Sequence, residues 1–174
     1  WHRPQARECA SYLHKAVSEI TADPDIKLVV LAAYWAIDSW VSADDLTTPL
    51  DRQAALETGL NGMIDTLHAA GKEVVVLGDT PGMKFDVPRY AMGLTLPLRR
   101  VAIDVLAHSP SLTKETVGPD LISPAVLQAN EQLRGIVERR EDASFVDLAA
   151  EFCVLKTCRF AKDGELWYFD SQHL

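Results

Sequence analysis

Apolar positions recur at helical spacing over residues 5–22, where Cys9, Leu13, Ala16, Val17 and Ile20 share a face with Tyr12 beside them. Asp23-Pro24 stops that helix, because a residue before proline is pushed out of the helical region. Residues 26–33 are instead a short, nearly continuous apolar run, the pattern of a strand buried on both faces. The run empties into Tyr34-Trp35-Ala36-Ile37-Asp38-Ser39-Trp40, an aromatic-rich loop at the strand's C-terminal edge, where open α/β sheets bind ligands. Thr47-Thr48-Pro49 predicts the start of a helix over 50–70, with Leu56, Leu60, Ile64 and Leu67 as its seam and Gly71-Lys72 closing it. Residues 74–77 read as a second buried strand, followed by the loop Gly78-Asp79-Thr80-Pro81-Gly82.

Further on, residues 89–108 have helical character interrupted by Pro97, and residues 109–122 read as loop. Ser123-Pro124 is an N-cap and N1 pair that opens a helix over 124–140, carrying Leu127, Leu133, Ile136 and Val137. A third strand starts within 144–148, and Asp163-Gly164 turns the chain into 166–169. Helices alternating with apolar strands predict an α/β fold, one domain over 1–174, with a parallel sheet and helices on both faces. A chain that opens on a helix leads us to expect the first strand upstream of Trp1.

Composition narrows the function classes. The 174 residues suffice for one domain with a core, and 48% apolar with 24% charged residues is ordinary for a globular protein. A net charge of −8 lacks the basic footprint that a phosphate backbone requires. No apolar run approaches the ~20 residues of a membrane span. Residue 1 is Trp, so the chain is expected to be a piece of something longer. Of three cysteines, Cys153 and Cys158 are either a local disulfide in an oxidising compartment or two thiols in a reducing one. A zinc site is poorly supported without a second close Cys/His pair, and no cofactor is implied. Cys9 is either a buried thiol on the first helix or the partner of a cysteine before residue 1.

The chemistry concentrates in the last ten residues, where an apolar run leads into Asp170-Ser171-Gln172-His173. A carboxylate three residues before a histidine can accept the imidazole Nδ1–H and leave Nε2 free as a general base. The competing reading is a surface Asp and His near a chain end. The absent member is a nucleophile. Thr80 tempts, because Gly78-Asp79-Thr80 mimics Gly-Asp-Ser after a strand. Pro81 and Gly82 then stand where a nucleophile elbow would enter a helix, and threonine is rare in that role, so a strand-end turn is the plainer reading. Ser39 reads as loop surface, and Ser171 lies inside the turn, badly placed to face the same imidazole. Gly59-Leu60-Asn61 imitates an oxyanion motif but falls within a helix. Trp35 offers an indole N–H and a ring that could wall an acyl or sugar pocket, against the alternative of a half-buried core residue. His2, His14, His68 and His108 read as surface or satisfied core, and the charges of 138–142 as a solvated helix end.

Taken together these residues resemble a known family, the extracytoplasmic SGNH domain fused to membrane acyltransferase-three proteins, which O-acylate bacterial surface polysaccharides. The features that carry the resemblance are Val29-Val30-Leu31-Ala32-Ala33-Tyr34-Trp35, then Gly71-Lys72-Glu73-Val74-Val75-Val76-Leu77 leading to Pro81, then Asp86-Val87-Pro88. The ending matches as well: Cys153 and Cys158, Asp163-Gly164, and Tyr168-Phe169-Asp170-Ser171-Gln172-His173-Leu174. The resemblance implies a flavodoxin-like three-layer α/β/α sandwich, with Asp170 and His173 as two members of a Ser-His-Asp triad. It implies a nucleophile in a Gly-Asp-Ser motif before Trp1, with Tyr34-Trp35 standing where other SGNH proteins carry Gly-x-Asn-Asp. It also implies an oxidised Cys153/Cys158 pair, a Cys9 bonded upstream, a fused membrane acyltransferase as partner, and a carbohydrate substrate. The function expected is an O-acyltransferase or esterase moving an acyl group, acetyl first, to or from a sugar hydroxyl. The alternative is a non-catalytic α/β glycan-binding module, with Trp35 and Trp40 as the sugar platform.

Overall fold

The computed structural model describes residues 3–36, 40–41, 49–96, 98, 101, 113, 115–155 and 157–174. Ser39, His2, His108, Pro97 and most of the expected helix beyond Leu96 lie outside the described residues. In chain order the first elements are α1 (Arg3–Ala22), β1 (Leu28–Leu31), β2 (Trp40–Val41), β3 (Pro49–Leu50), α2 (Arg52–Ala69), β4 (Glu73–Leu77) and α3 (Val87–Thr95). There follow β5 (Thr116–Val117), a 3-10 turn (Pro119–Leu121), α4 (Pro124–Val137), β6 (Ala143–Val146) and α5 (Leu148–Phe152). The chain ends with β7 (Cys153–Val154), β8 (Thr157–Arg159), β9 (Ala161–Lys162) and β10 (Glu165–Leu166). These elements form two compact units, Trp1–Leu77 with Glu131–Val146, and Gly78–Asn130 with Asp147–Leu174.

The first unit holds the parallel sheet, in the order β1-β4-β6. Val29 pairs with Val74, and Val76 with Phe145, so apolar side chains line up across one face. Against that face pack Leu56, Leu60, Ile64 and Leu67 of α2 and Leu133, Ile136 and Val137 of α4, as their helical spacing predicts. The other face differs from expectation. Leu28 is 51% exposed and Val30 49%, because no helix covers them among the described residues, so β1 is buried on one side only. The helix start also differs: Pro49 lies in β3, paired with Val41, and Asp51 caps α2 by accepting from the Ala54 N–H at 2.7 Å. Gly71, at φ +73, takes the left-handed position that ends the helix. Lys72 is buried, and its ammonium donates to the carbonyls of Asp23 (2.5 Å) and Ile26 (2.9 Å), so a charge closes the α1-to-β1 connection.

In the second unit, Met83, Val87, Val117, Ile122, Phe160, Ala161 and Tyr168 form a separate core, with Phe85, Tyr90 and Phe160 edge to face. Part of the stretch read as loop over 109–122 is ordered as β5 and the 3-10 turn, because Thr116 and Val117 pair with Arg159 and Cys158. Cys153 and Cys158 are disulfide-bonded across the β7/β8 hairpin, and Cys158 joins the core. Cys9 has no disulfide partner among the described residues. Asp163 (φ 53) and Gly164 (φ 85) make the two-residue turn between β9 and β10 that a hairpin's twist favours.

Ile64 is fully buried at the centre of the first core. Ile64→Ala is expected to cost about 2–5 kcal/mol in urea unfolding, whereas Met92→Ala, at an exposed position of α3, is expected to change stability by less than about 0.5 kcal/mol.

Candidate functional site

The turn after β10 is built around one side chain. Asp170 Oδ1 accepts from the backbone N–H of Gln172 (2.6 Å) and of His173 (2.8 Å), and Asp170 Oδ2 lies 2.6 Å from His173 Nδ1. An aspartate capping the N–H groups two and three residues on is the local bond this residue forms most readily. The Phe169 N–H donates to the His173 carbonyl at 2.7 Å and closes the turn from outside. The turn from Asp170 to His173 thus carries the imidazole back onto the carboxylate that caps it.

Electrostatics follow from the same bonds. The His173 backbone N–H, the His173 ring and the Gln172 N–H all favour the ionised carboxylate, and they hold Asp170 at about 2. An anionic Asp170 makes Nδ1 the protonated nitrogen of a neutral imidazole and leaves Nε2 as its lone pair. The His173 side chain is 75% exposed, and Nε2 has no partner among the described residues. Such a group is equipped to take a proton from a hydroxyl brought to it.

The loop after β4 lies against this turn. Thr80 Oγ1 donates to the Gln172 carbonyl (3.2 Å), the Met83 N–H to the Ser171 carbonyl (2.8 Å), and the Tyr168 hydroxyl to the Pro81 carbonyl (2.9 Å). Burial pushes the Tyr168 hydroxyl well above its usual value, so it stays a donor. The loop is itself held by α4: Asn130 Oδ1 accepts from the Asp79 N–H (2.7 Å) while Asn130 Nδ2 donates to the Asp79 carbonyl (2.8 Å). The Ser123 N–H donates to the Gly82 carbonyl at 2.7 Å. A Cβ on Gly82 would stand 3.3 Å from Ser123 Cβ and Val126 Cγ2, a contact tight enough that those side chains would have to give by a few tenths of an ångström.

The other sequence candidates have the following surroundings. Thr80 hydroxyl is spent on the Gln172 carbonyl, a bond that neither removes its proton nor aims it at the imidazole. Asn61 lies in α2 and accepts from Arg140 at 3.0 Å, within a cluster that also holds Asp65 and Asp142. His14 and His68 lie exposed on α1 and α2. Trp35 belongs to the first unit, packed half-buried against its core, and its indole N–H donates to the Leu77 carbonyl at 2.8 Å. That donor is committed to the end of β4, so the part of Trp35 open to a ligand role is its ring. The sequence reading missed Tyr168, Met83 and Asn130. Asn130 had a signal, a polar residue among Val126, Ala129 and Leu133 on a helix face that is otherwise apolar. An open cleft of about 420 Å³, lined by Glu151, Phe152, Trp167 and Leu174, adjoins the end of the turn.

Over residues 1–174 the chain matches the family described as SGNH domain, fused to AT3 domains. No curated protein matches it. Among solved structures it is similar to the periplasmic domain of a lipopolysaccharide acetyltransferase from Salmonella ser. Paratyphi A, with a TM-score of 0.61 and 11% identity. The likeness covers 92% of this chain and 55% of that one, so the chain spans about half the length of that relative and shares its fold.

Because the folded pKa of Asp170 is depressed from 3.8 to about 2, its carboxylate stabilises the fold fully above pH 4, and the contribution is lost as pH falls through 2. The stability difference between the wild type and Asp170→Asn is therefore expected to shrink as pH falls from 4 towards 2. Urea titrations across that range measure it.

Proposed function

The chain belongs to the SGNH domains fused to AT3 domains, and on that premise we propose that it is the acyl-handling domain of a membrane-tethered O-acyltransferase or esterase acting on a carbohydrate hydroxyl. The observation that carries the reading is the 2.6 Å contact of His173 Nδ1 with an Asp170 held ionised by three N–H groups. A general base of this form serves a serine. In the proposed reaction His173 Nε2 removes the serine proton as the hydroxyl attacks the ester carbonyl. The acyl group passes to the serine, and His173 returns the proton to the departing alcohol. The base then deprotonates the acceptor, a sugar hydroxyl for transfer or water for hydrolysis, which attacks the acyl carbonyl; the serine–acyl bond breaks and the serine oxygen takes the proton back from His173. Asp170 stabilises the imidazolium that forms in each half and is not itself protonated.

The serine is proposed to come from a segment outside these residues. Two features favour an added strand: β1 is an outer strand with a free edge among the described residues, and Leu28 and Val30 stand half exposed on its open face. Parallel sheets are ordinarily covered on both faces, so this one has room for a further strand and helix. An acetyl group and a polysaccharide acceptor are proposed from the relative's description as a lipopolysaccharide acetyltransferase. An extracytoplasmic setting is supported by that relative's being a periplasmic domain and by the Cys153–Cys158 disulfide, a bond that persists where thiols are oxidised. No helix of the described residues is long and apolar enough to cross a membrane, so the tether is assigned to the AT3 portion.

The full-length protein is expected to take one fluorophosphonate adduct, on a serine outside residues 1–174. His173→Ala is expected to slow hydrolysis of p-nitrophenyl acetate by about a hundred- to ten-thousandfold. Turnover that survives this substitution removes the dyad from the mechanism. Glycan binding without turnover in the wild type would favour a binding module instead.

A further inference from the structure

Three peptide groups join Asp170 to His173 along the turn, and the last two are each held at both ends. In the peptide joining Ser171 to Gln172, the N–H donates to Asp170 Oδ1 at 2.6 Å and the carbonyl accepts from the Met83 N–H at 2.8 Å. In the peptide joining Gln172 to His173, the N–H donates to Asp170 Oδ1 at 2.8 Å and the carbonyl accepts from Thr80 Oγ1 at 3.2 Å. The inner bonds come from the carboxylate that also holds the imidazole. The outer bonds come from residues some ninety positions earlier in the chain.

We propose that the loop 80–83 is the outer clamp that aims His173, with Thr80 as its side-chain member and Tyr168 as the bolt that fastens loop to turn. The proposal rests on the catalytic reading of His173 above and assigns Thr80 and Tyr168 as positioning residues. The inner bonds fix the imidazole relative to Asp170 but leave the turn free to rock as a unit about its flanking residues. Only a bond to a second segment removes that freedom. Thr80 bonds the carbonyl of the peptide that leads into His173, so it acts one residue from the base. Tyr168 donates to the Pro81 carbonyl at 2.9 Å from a fully buried position and ties the start of the turn to the same loop. Asn130, with its paired bonds to the backbone N–H and carbonyl of Asp79, and Ser123, through the Gly82 carbonyl, pass the restraint on to α4, an element of 14 residues. Gly82 closes the arrangement, since Gln172 Cγ lies 4.0 Å from where its Cβ would stand. This also accounts for a threonine where a Gly-Asp-Ser motif would carry its nucleophile: the hydroxyl is used as a donor to the backbone.

The experiment uses the full-length protein with Thr80→Val, Thr80→Ser and Tyr168→Phe. Hydrogen–deuterium exchange of the peptide spanning 169–174 is read beside the kinetics of p-nitrophenyl acetate hydrolysis. Thr80→Val is expected to speed exchange of that peptide severalfold and leave other peptides unchanged. It is expected to lower kcat about ten- to hundredfold with KM held within about twofold, because a displaced base costs rate without costing ground-state binding. Thr80→Ser keeps the donor and is expected to restore both readouts. Tyr168→Phe keeps the ring and is expected to move exchange in the same peptide. Unchanged exchange at 169–174 in both Thr80→Val and Tyr168→Phe overturns the proposal, as does a full kcat in Thr80→Val when His173→Ala is inactive. A Thr80→Val protein as inactive as His173→Ala, with its fluorophosphonate label gone, would make Thr80 the nucleophile and overturn it too. If the wild type itself shows no turnover, the enzymatic reading fails, and exchange alone still decides whether the clamp exists.

Discussion

The carboxylate of Asp170 is the interaction on which the candidate site depends. Its two oxygens receive three N–H groups, two from the backbone of the next residues and one from the imidazole that those residues deliver. The backbone bonds are local and form with little loop-closure cost, because donor and acceptor are two and three residues apart. Each fixes the carboxylate plane, and the plane in turn fixes where Nδ1 must lie. The same three donors hold the group ionised far below neutral pH. The pair is therefore set up by the turn itself, with no charge or metal required from elsewhere among the described residues.

Such a pair contributes little to the stability of the fold at neutral pH. Both side chains reach solvent, His173 for three-quarters of its surface, so water screens the contact between them. Its worth is geometric. A base must meet its nucleophile at hydrogen-bond distance with the correct nitrogen free, and small misplacements cost more in rate than the whole pair offers in stability. Cost and benefit are thus separated in the molecule. The cores around Ile64 and around Phe160 supply cohesion, while the turn spends almost none of it and remains open to a partner group.

Legibility in the sequence followed the range of the interactions. The seam of α2, the strand at 74–77, the Asp163-Gly164 turn and the Asp-x-x-His bond are decided by residues within a few positions of one another, and each stands where its pattern indicates. The helix start at Asp51 was hidden because Pro49, a good first-turn residue, is taken by pairing with Val41, a partner that no local pattern announces. The ordering of Thr116 and Val117 was hidden for the same reason, since their partners are Arg159 and Cys158. The exposed side of β1 was misread because a continuous apolar run reports that two faces are apolar, and does not report which of them is covered. Thr80, Met83 and Tyr168 were the hardest to see. Their bonds run to backbone carbonyls, and a carbonyl is present at every residue, so nothing in the composition marks the recipient.

That last point bears on how a site of this kind is assembled. The Asp170–His173 contact is written in two side chains three residues apart, whereas the outer bonds to their turn are written in the packing of a distant loop. The two parts make different demands on the chain. The first needs Asp and His at a fixed spacing and tolerates most neighbours. The second needs a backbone that comes close enough to bond, and so depends on Gly82 lying close to Ser123 and Val126, and on Asn130 satisfying the backbone N–H and carbonyl of Asp79 from a mostly apolar helix face. A buried asparagine is costly unless both ends of its amide are bonded, and here both are, which makes it a register device for the loop as well as a satisfied polar group. The contact between Asp170 and His173 is local in sequence, whereas the bonds from the 78–83 loop to the turn, and from Asn130 to that loop, are tertiary.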